Sequence, residues 1–284
     1  MTTYRRVGVV AKSGSPEAVQ TALELAEWLN RRGIEVCLDD GVLRAAGRPL
    51  VDAFRSDGAY DLVVVLGGDG TLLAVARNLA DGVPILGANL GSLGFLTEIH
   101  RTELYPSLVR IMAGDVAVEE RSLLQVELDR ADGPPMPYRA LNDAVIAKSA
   151  LSRIIELSLR VDGSLVARFR ADGLILSTPT GSTAYNLSAN GPILYPRLPV
   201  MVLTPICPHT LSLRPMVLPD SSRVEVTLET QREEVYLTLD GQEGTMLGAG
   251  DTVRVSRSPR TVRLLRVSGR SYFDALRGKL HWGE

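Results

Sequence analysis

Cysteine is scarce in this 284-residue chain: Cys37 and Cys207 are the only two, without zinc-ligand spacing and too few for a disulfide framework. A reducing compartment is the simplest setting for such a sequence. Aromatic residues make up only 5%, so aliphatic side chains must supply most of the core. No segment reaches the roughly 18 consecutive apolar residues that a membrane helix requires. The first ten residues carry Arg5 and Arg6 and only a short apolar run, without the apolar centre of a secretory signal. These absences predict a cytoplasmic chain with no membrane partner. An excess of one charge is missing too: 31 basic side chains face 33 acidic ones, a net charge of −2, with no basic block. That balance argues against nucleic acid as the main partner. Neither G-x-x-x-x-G-K-[ST] nor G-x-G-x-x-G occurs, so the common nucleotide fingerprints are absent.

What is present has the balance of a globular protein, 45% hydrophobic and 23% charged, at a length comfortable for two domains. The first third alternates strand and helix signals. Val7 to Ala11 is a short apolar run, and Ser15-Pro16 resembles a helix N-cap with proline in the first turn. Val19, Ala22, Leu23, Ala26 and Leu29 recur at helical spacing until Arg32-Gly33, and Ile34 to Leu38 reads as a second strand. Leu62 to Leu66 is uninterrupted aliphatic sequence, as in a central parallel strand covered on both faces. Leu72, Val75, Ala76 and Leu79 form the next helix face, and Val83 to Leu86 starts another strand. Such alternation predicts an open α/β sheet. Beyond about residue 100 the period becomes two, at Leu124-Val126-Leu128, Ile155-Leu157-Leu159-Val161, Val224-Val226-Leu228 and Val235-Leu237-Leu239. Asp132-Gly133, Asp162-Gly163 and Asp240-Gly241 supply turns between short antiparallel strands. Phe273 to Leu280 could close the chain as a short helix.

The turn Gly67-Gly68-Asp69-Gly70-Thr71 follows the buried strand and precedes a helix. Ligands of α/β sheets bind beyond the carboxyl ends of strands, where glycine lets backbone N–H groups approach and a helix start favours phosphate. Asp69 is the odd member. Beside phosphates a carboxylate needs a bridging cation or a proton to accept, and both are ordinary roles in phosphoryl transfer. Alone, the turn fits equally well a tight strand-to-helix connection capped by Asp69. Gly87-Ala88-Asn89-Leu90-Gly91-Ser92-Leu93-Gly94-Phe95-Leu96 either approaches a ligand or simply connects domains. Asn142-Asp143 pairs an amide with a carboxylate, suited to ribose hydroxyls but also to a plain turn. Asp172 to Tyr185 holds Ser177, Thr178, Thr180, Ser182 and Thr183 around Pro179 and Gly181; so dense a polar turn caps itself or binds something polar. Ser182 lacks a G-x-S-x-G elbow, which argues against a hydrolase nucleophile. His100, His209 and His281 carry no site pattern.

Together these motifs, with Thr204-Pro205-Ile206-Cys207-Pro208-His209, resemble the NAD kinase family in order and over nearly the whole chain. The resemblance implies transfer of the γ-phosphoryl group of ATP to the adenosine ribose 2′-hydroxyl of NAD, giving NADP and ADP. It implies an α/β domain (residues 1–100) with an open, mostly parallel sheet of Rossmann or phosphofructokinase-like kind. An all-β, NAD-binding domain (101–265) would follow, and a C-terminal tail (266–284) would pack on the first domain. A divalent cation, usually magnesium, and a homodimer or homotetramer are implied as well. Carried over by motif, Asp69 would be the catalytic base, and Gly67, Gly68, Gly70 and Thr71 would bind phosphate. Gly70, Leu73, Phe95, Asn142, Asp143, Arg153, Arg170, Asp172, Thr183, Ala184, Tyr185, Asn186, Leu187, Ser188 and Gln242 would contact NAD together with Asp69; the metal ligands stay unassigned. Asp143 departs from the family, where glutamate is commoner. The competing expectations are a lipid or sugar-phosphate kinase with the same glycine turn, or a dinucleotide sensor without catalysis.

Overall fold

A computed structural model describes residues 4–91, 94–130, 133–210, 212–267 and 269–281. Ser92 and Leu93 of the glycine-spaced segment, and Asp132 of one expected turn, lie outside the described residues. The chain divides into two compact units: described residues up to Glu120 with those from Val262 onward, and Arg121–Thr261.

In the first unit the elements alternate as β1 (Arg6–Ala11), α1 (Pro16–Asn30), β2 (Glu35–Leu38), α2 (Asp40–Ala45), β3 (Leu62–Leu66), α3 (Asp69–Asn78), β4 (Pro84–Asn89), β5 (Ile99–His100) and α4 (Leu104–Met112). Strands β2, β1, β3 and β4 lie side by side and parallel. Parallel pairing follows from helical crossovers, and it buries the sheet on both faces. All five residues of β3 are accordingly buried. Helix α1 starts where the sequence signals it, with Ser15 Oγ accepting from Ala18 N at 3.3 Å and Pro16 in its first turn. Its buried face runs through Ala18, Ala22, Leu25, Ala26 and Leu29, while the expected Val19 and Leu23 lie at its margin. Leu25 and Leu29, so buried, contribute roughly 1.5–3 kcal/mol each. Helix α4 buries Leu104, Leu108 and Ile111 in this same core, so residues 101–120 belong to the α/β unit and not to the β-rich part expected from residue 101. Its apolar spacing of four and three is helical, and a period of two is not what governs that stretch.

The second unit is built of β-strands. They are β6 (Ala117–Asp129), β7 (Met136–Ala140), β8 (Asp143–Lys148), β9 (Ile155–Val161), β10 (Ser164–Ala171) and β11 (Gly173–Ser177), then the one-turn helix α5 (Tyr185–Ser188). The rest are β12 (Val200–Ile206), β13 (Met216–Pro219), β14 (Val224–Leu228), β15 (Val235–Leu239), β16 (Glu243–Leu247) and β17 (Thr252–Arg266). The chain passes between the units inside β6 and inside β17, and helix α6 (Tyr272–Leu280) follows in the first unit. One antiparallel group runs β10–β9–β14–β17, and a second runs β13–β12–β11–β8–β15–β16. Inward residues of both, such as Ile155, Leu157, Val224 and Val226 against Ile146, Leu174 and Leu237, share one core. The Asp162-Gly163 and Asp240-Gly241 turns have positive φ at both residues (49° and 79°; 50° and 65°). That geometry matches the right-handed twist of paired strands and suits Asp-Gly. The residues of α6 carry a capping box, Ser271 with Asp274.

Candidate active site

The glycine turn is tighter than its sequence suggests. Strand β3 ends at Leu66, Gly67 N donates to Ala88 O at 2.9 Å, Gly68 is the N-cap, and α3 begins at Asp69 rather than near Thr71. Gly68, as N-cap, has no side chain to cap this helix start. Asp69 therefore does not close its own turn. Its carboxylate reaches the segment after β4: Oδ2 accepts from Phe95 N (2.8 Å), and Oδ1 accepts from Leu96 N (3.1 Å), Thr97 N (3.0 Å) and Thr97 Oγ1 (2.9 Å). Gly94 makes this approach possible, since a Cβ there would lie 2.0 Å from Asp69 Oδ1.

A cavity of about 460 Å³ opens on this carboxylate, within the size range of ligand pockets. It is lined by Gly67, Gly68, Asp69, Asn89, Gly91 and Gly94, by Ser15 and Glu17 at the start of α1, and by Lys12 and Lys279. Glu17 is matched by Arg101 at 2.7 Å, whereas the two ammonium groups have no acidic partner among the described residues. Two helix N-termini and two unpaired lysines make the cavity a place for an anion. Leu73 is buried in the same unit, and half-buried Phe95 packs near Tyr272 with ring centroids 6.4 Å apart.

In the second unit Asn142 and Asp143 open β8. Asp240, in the β15–β16 turn, accepts from the backbone N–H groups of Leu141 (3.1 Å), Asn142 (2.7 Å) and Asp143 (3.1 Å). The Asn142 backbone is thus fully engaged, its carbonyl taking Thr178 N, while its half-buried side-chain amide has no partner among the described residues. Asp143 is 3% exposed. Burial, and then the neighbouring charge of Asp240, push its carboxyl up to about 7.

The hydroxyl-rich turn largely satisfies itself. Ser177 and Thr178 donate to the carbonyls of residues 141, 142 and 178, and Ser182 Oγ donates to Pro179 O at 2.7 Å. The fully buried Asn186 amide donates to Ser182 O and Pro192 O, and its oxygen accepts from Thr204 Oγ1 at 2.6 Å. Both of its N–H groups are thereby used within the turn. Thr183, Ala184 and Leu187 are half-buried, and Tyr185 and Ser188 are exposed at the end of this turn. Asp172 faces Lys148 Nζ at 3.8 Å, a lysine that sequence reasoning passed over. Arg153, Arg170 and Gln242 are exposed.

Residues 7–116 match the ATP-NAD kinase N-terminal domain and residues 141–267 the ATP-NAD kinase C-terminal domain. The NAD kinase of Geotalea daltonii is 49% identical over 99% of both chains, and that of Geobacter metallireducens 47% identical over 99% of both. The chain belongs to the ATP-NAD kinase family. Among solved structures, yeast NADH kinase complexed with NADH superposes with a TM-score of 0.89 at 27% identity, covering 99% of this chain and 88% of that one. An NAD kinase from Archaeoglobus fulgidus in complex with ATP gives 0.74, also at 27%, covering 97% and 98%. The fold expected from the family resemblance, an α/β part with a parallel sheet and an all-β part, is the fold found.

Membership places the chain among phosphotransferases. No described helix is long and apolar enough to cross a membrane. Four residues of the first unit escaped the motif reading as parts of a site: Lys12, Asn89, Thr97 and Lys279. Asn89 and Gly94 stood in a motif that could equally be a connection, and no spacing links residue 12 or 279 to residue 69.

Proposed function

We propose that this kinase transfers the γ-phosphoryl group of ATP to the adenosine ribose 2′-hydroxyl of NAD, and that Asp69 takes the hydroxyl proton. The observation that carries this reading is the state of the Asp69 carboxylate. Among the described residues Oδ1 receives three donors and Oδ2 one, so Oδ2 keeps an open lone pair on a carboxylate that lines the cavity. The ribose oxygen would attack the γ-phosphorus, the bond to the β-bridging oxygen would break, ADP would leave, and the proton would pass to Oδ2 and then to water. The turn Gly67 to Thr71 at the start of α3, with the helix dipole behind it, and the ammonium groups of Lys12 and Lys279 would hold the triphosphate.

No group of three or more His, Cys, Asp or Glu side chains suited to a metal occurs among the described residues. Asp69 and Glu17 are the carboxylates lining the cavity, which fits a magnesium ion that keeps most of its waters and is carried by phosphate oxygens. When bound, such an ion supplies charge neutralisation on the transferring phosphoryl group.

To the second unit we assign recognition of NAD, by the free Asn142 amide, Asp143, Asp172, Arg153, Arg170, Gln242 and the turn Thr183-Ala184-Tyr185-Leu187-Ser188. Asn186 supports that turn from inside, and in the first unit Leu73 and Phe95 are assigned to NAD as apolar contacts. A cytoplasmic homodimer or homotetramer completes the reading, supported by exposed apolar side chains such as Leu165 and Val166 on β10.

Incubation with ATP, magnesium and NAD, diacylglycerol or a sugar phosphate in turn tests the assignment. NADP is the expected product. Phosphorylation of either other acceptor, or tight NAD binding without any NADP, would overturn it.

A further inference from the structure

We propose that Thr97 and Asn89 are positioning residues, a one-way hydrogen-bond chain that saturates Asp69 Oδ1 and leaves Oδ2 as the oxygen that meets the acceptor hydroxyl. The proposal rests on Asp69 as proton acceptor. Its first link fixes the Asn89 amide: Gly91 N donates to Asn89 Oδ1 at 2.8 Å, and only an oxygen can receive that proton. The amide nitrogen must then face the other way, where it donates to Thr97 Oγ1 at 3.0 Å. A hydroxyl has one proton. With its oxygen receiving Asn89, Thr97 directs that proton to Asp69 Oδ1 at 2.9 Å.

Thr97 is 0% and Asn89 6% exposed, so the bond between them is stronger than it would be at the surface and polarises the next. Two backbone N–H groups already face Oδ1, and the hydroxyl is the third donor. An oxygen with three donors is a poor proton acceptor and cannot swing toward a substrate. Oδ2, tied among the described residues only by Phe95 N, can do the work. Neither residue needs to touch substrate for this; both act through Asp69.

The test is a double-mutant cycle with kcat and the KM values for NAD and ATP as readouts. Thr97→Val keeps the shape and deletes the hydroxyl, Thr97→Ser restores it, and each is also made in the Asp69→Asn protein. Thr97→Val is expected to lower kcat about 10- to 100-fold, with KM for NAD held within about twofold. Thr97→Ser is expected to regain most of kcat. In the Asp69→Asn background Thr97→Val should cost nothing more, because the group it acts through is gone. An unchanged kcat in Thr97→Val, a loss that multiplies with Asp69→Asn, or no rescue by serine overturns the proposal. An inactive Asp69→Asn beside a normal Thr97→Val overturns the positioning role alone, whereas full turnover by Asp69→Asn overturns the base assignment and the chain with it. If Thr97→Val does not fold, Asn89→Ser makes the same test: a fall in kcat is expected, and a change confined to KM overturns.

Discussion

Two aspartates of this kinase sit in opposite surroundings. Asp69, in the α/β unit, is half-buried and receives four donors. Asp143, in the β unit, is almost fully buried, receives none among the described residues, and lies beside a second carboxylate, Asp240. Asp240 in turn takes three backbone N–H groups for itself. The same side chain is therefore tied by directed donors in one place and pushed toward its neutral acid in the other. Environment, not residue type, makes that difference.

Asn at each position divides the two cases most sharply. Asp69→Asn removes the proposed proton acceptor and should lower kcat by roughly 10²–10⁴-fold while NAD still binds, measured as turnover beside calorimetric NAD affinity. Near-normal turnover would end the comparison. Gly94→Ala should come next. Its methyl would sit 2.0 Å from Asp69 Oδ1 and 2.5 Å from Thr97 Oγ1, so the carboxylate must leave its donors; a loss of about 10²-fold in kcat is expected, and a normal kcat would show that the site can give way. Lys12→Met and Lys279→Met should each raise KM for ATP about tenfold and leave KM for NAD alone, as expected of charges that meet only the donor.

Asp143→Asn is the smallest and has the opposite sign. The wild-type carboxyl is raised from 3.8 to about 7 in the folded protein. Between those values the folded state keeps a proton that the unfolded chain has released, so stability falls as pH climbs from about 4 to 7 and then levels off. Asn should therefore stabilise the protein by about 1–3 kcal/mol at pH 8 and by nothing near pH 4. Urea unfolding at the two pH values would check it, and equal effects at both would refute the burial argument.

The sequence already showed much of this. An unbroken aliphatic run fits a strand covered on both faces, and Leu62–Leu66 is one. Asp-Gly between alternating strands asks for positive φ, and residues 162–163 and 240–241 have it. Helix α4 was equally legible in Leu104, Leu108 and Ile111, but the eye follows the longer alternation that comes after it. Other features lay beyond local pattern. Asn186 sits in a motif that reads as ligand-binding, yet its amide is spent on Ser182, Pro192 and Thr204, partners that only the fold brings near. The partners of Asp69 were hidden for the same reason, since spacing cannot tell which turn touches which.

The residue next to Thr97 carries a consequence of another kind. Glu98 is 8% exposed and bound by Arg266 at 2.8 Å, its carbonyl is taken by Arg270 at 2.6 Å, and Arg266 also holds Glu119 at 2.8 Å. Those arginines are translated more than 160 residues after Glu98. A ribosome thus releases the glycine turn early but supplies its clamp almost at the end of synthesis. Nascent or prematurely terminated chains lacking Arg266 and Arg270 would carry every glycine of the turn and still leave Glu98 as an uncompensated buried charge beside the segment that binds Asp69.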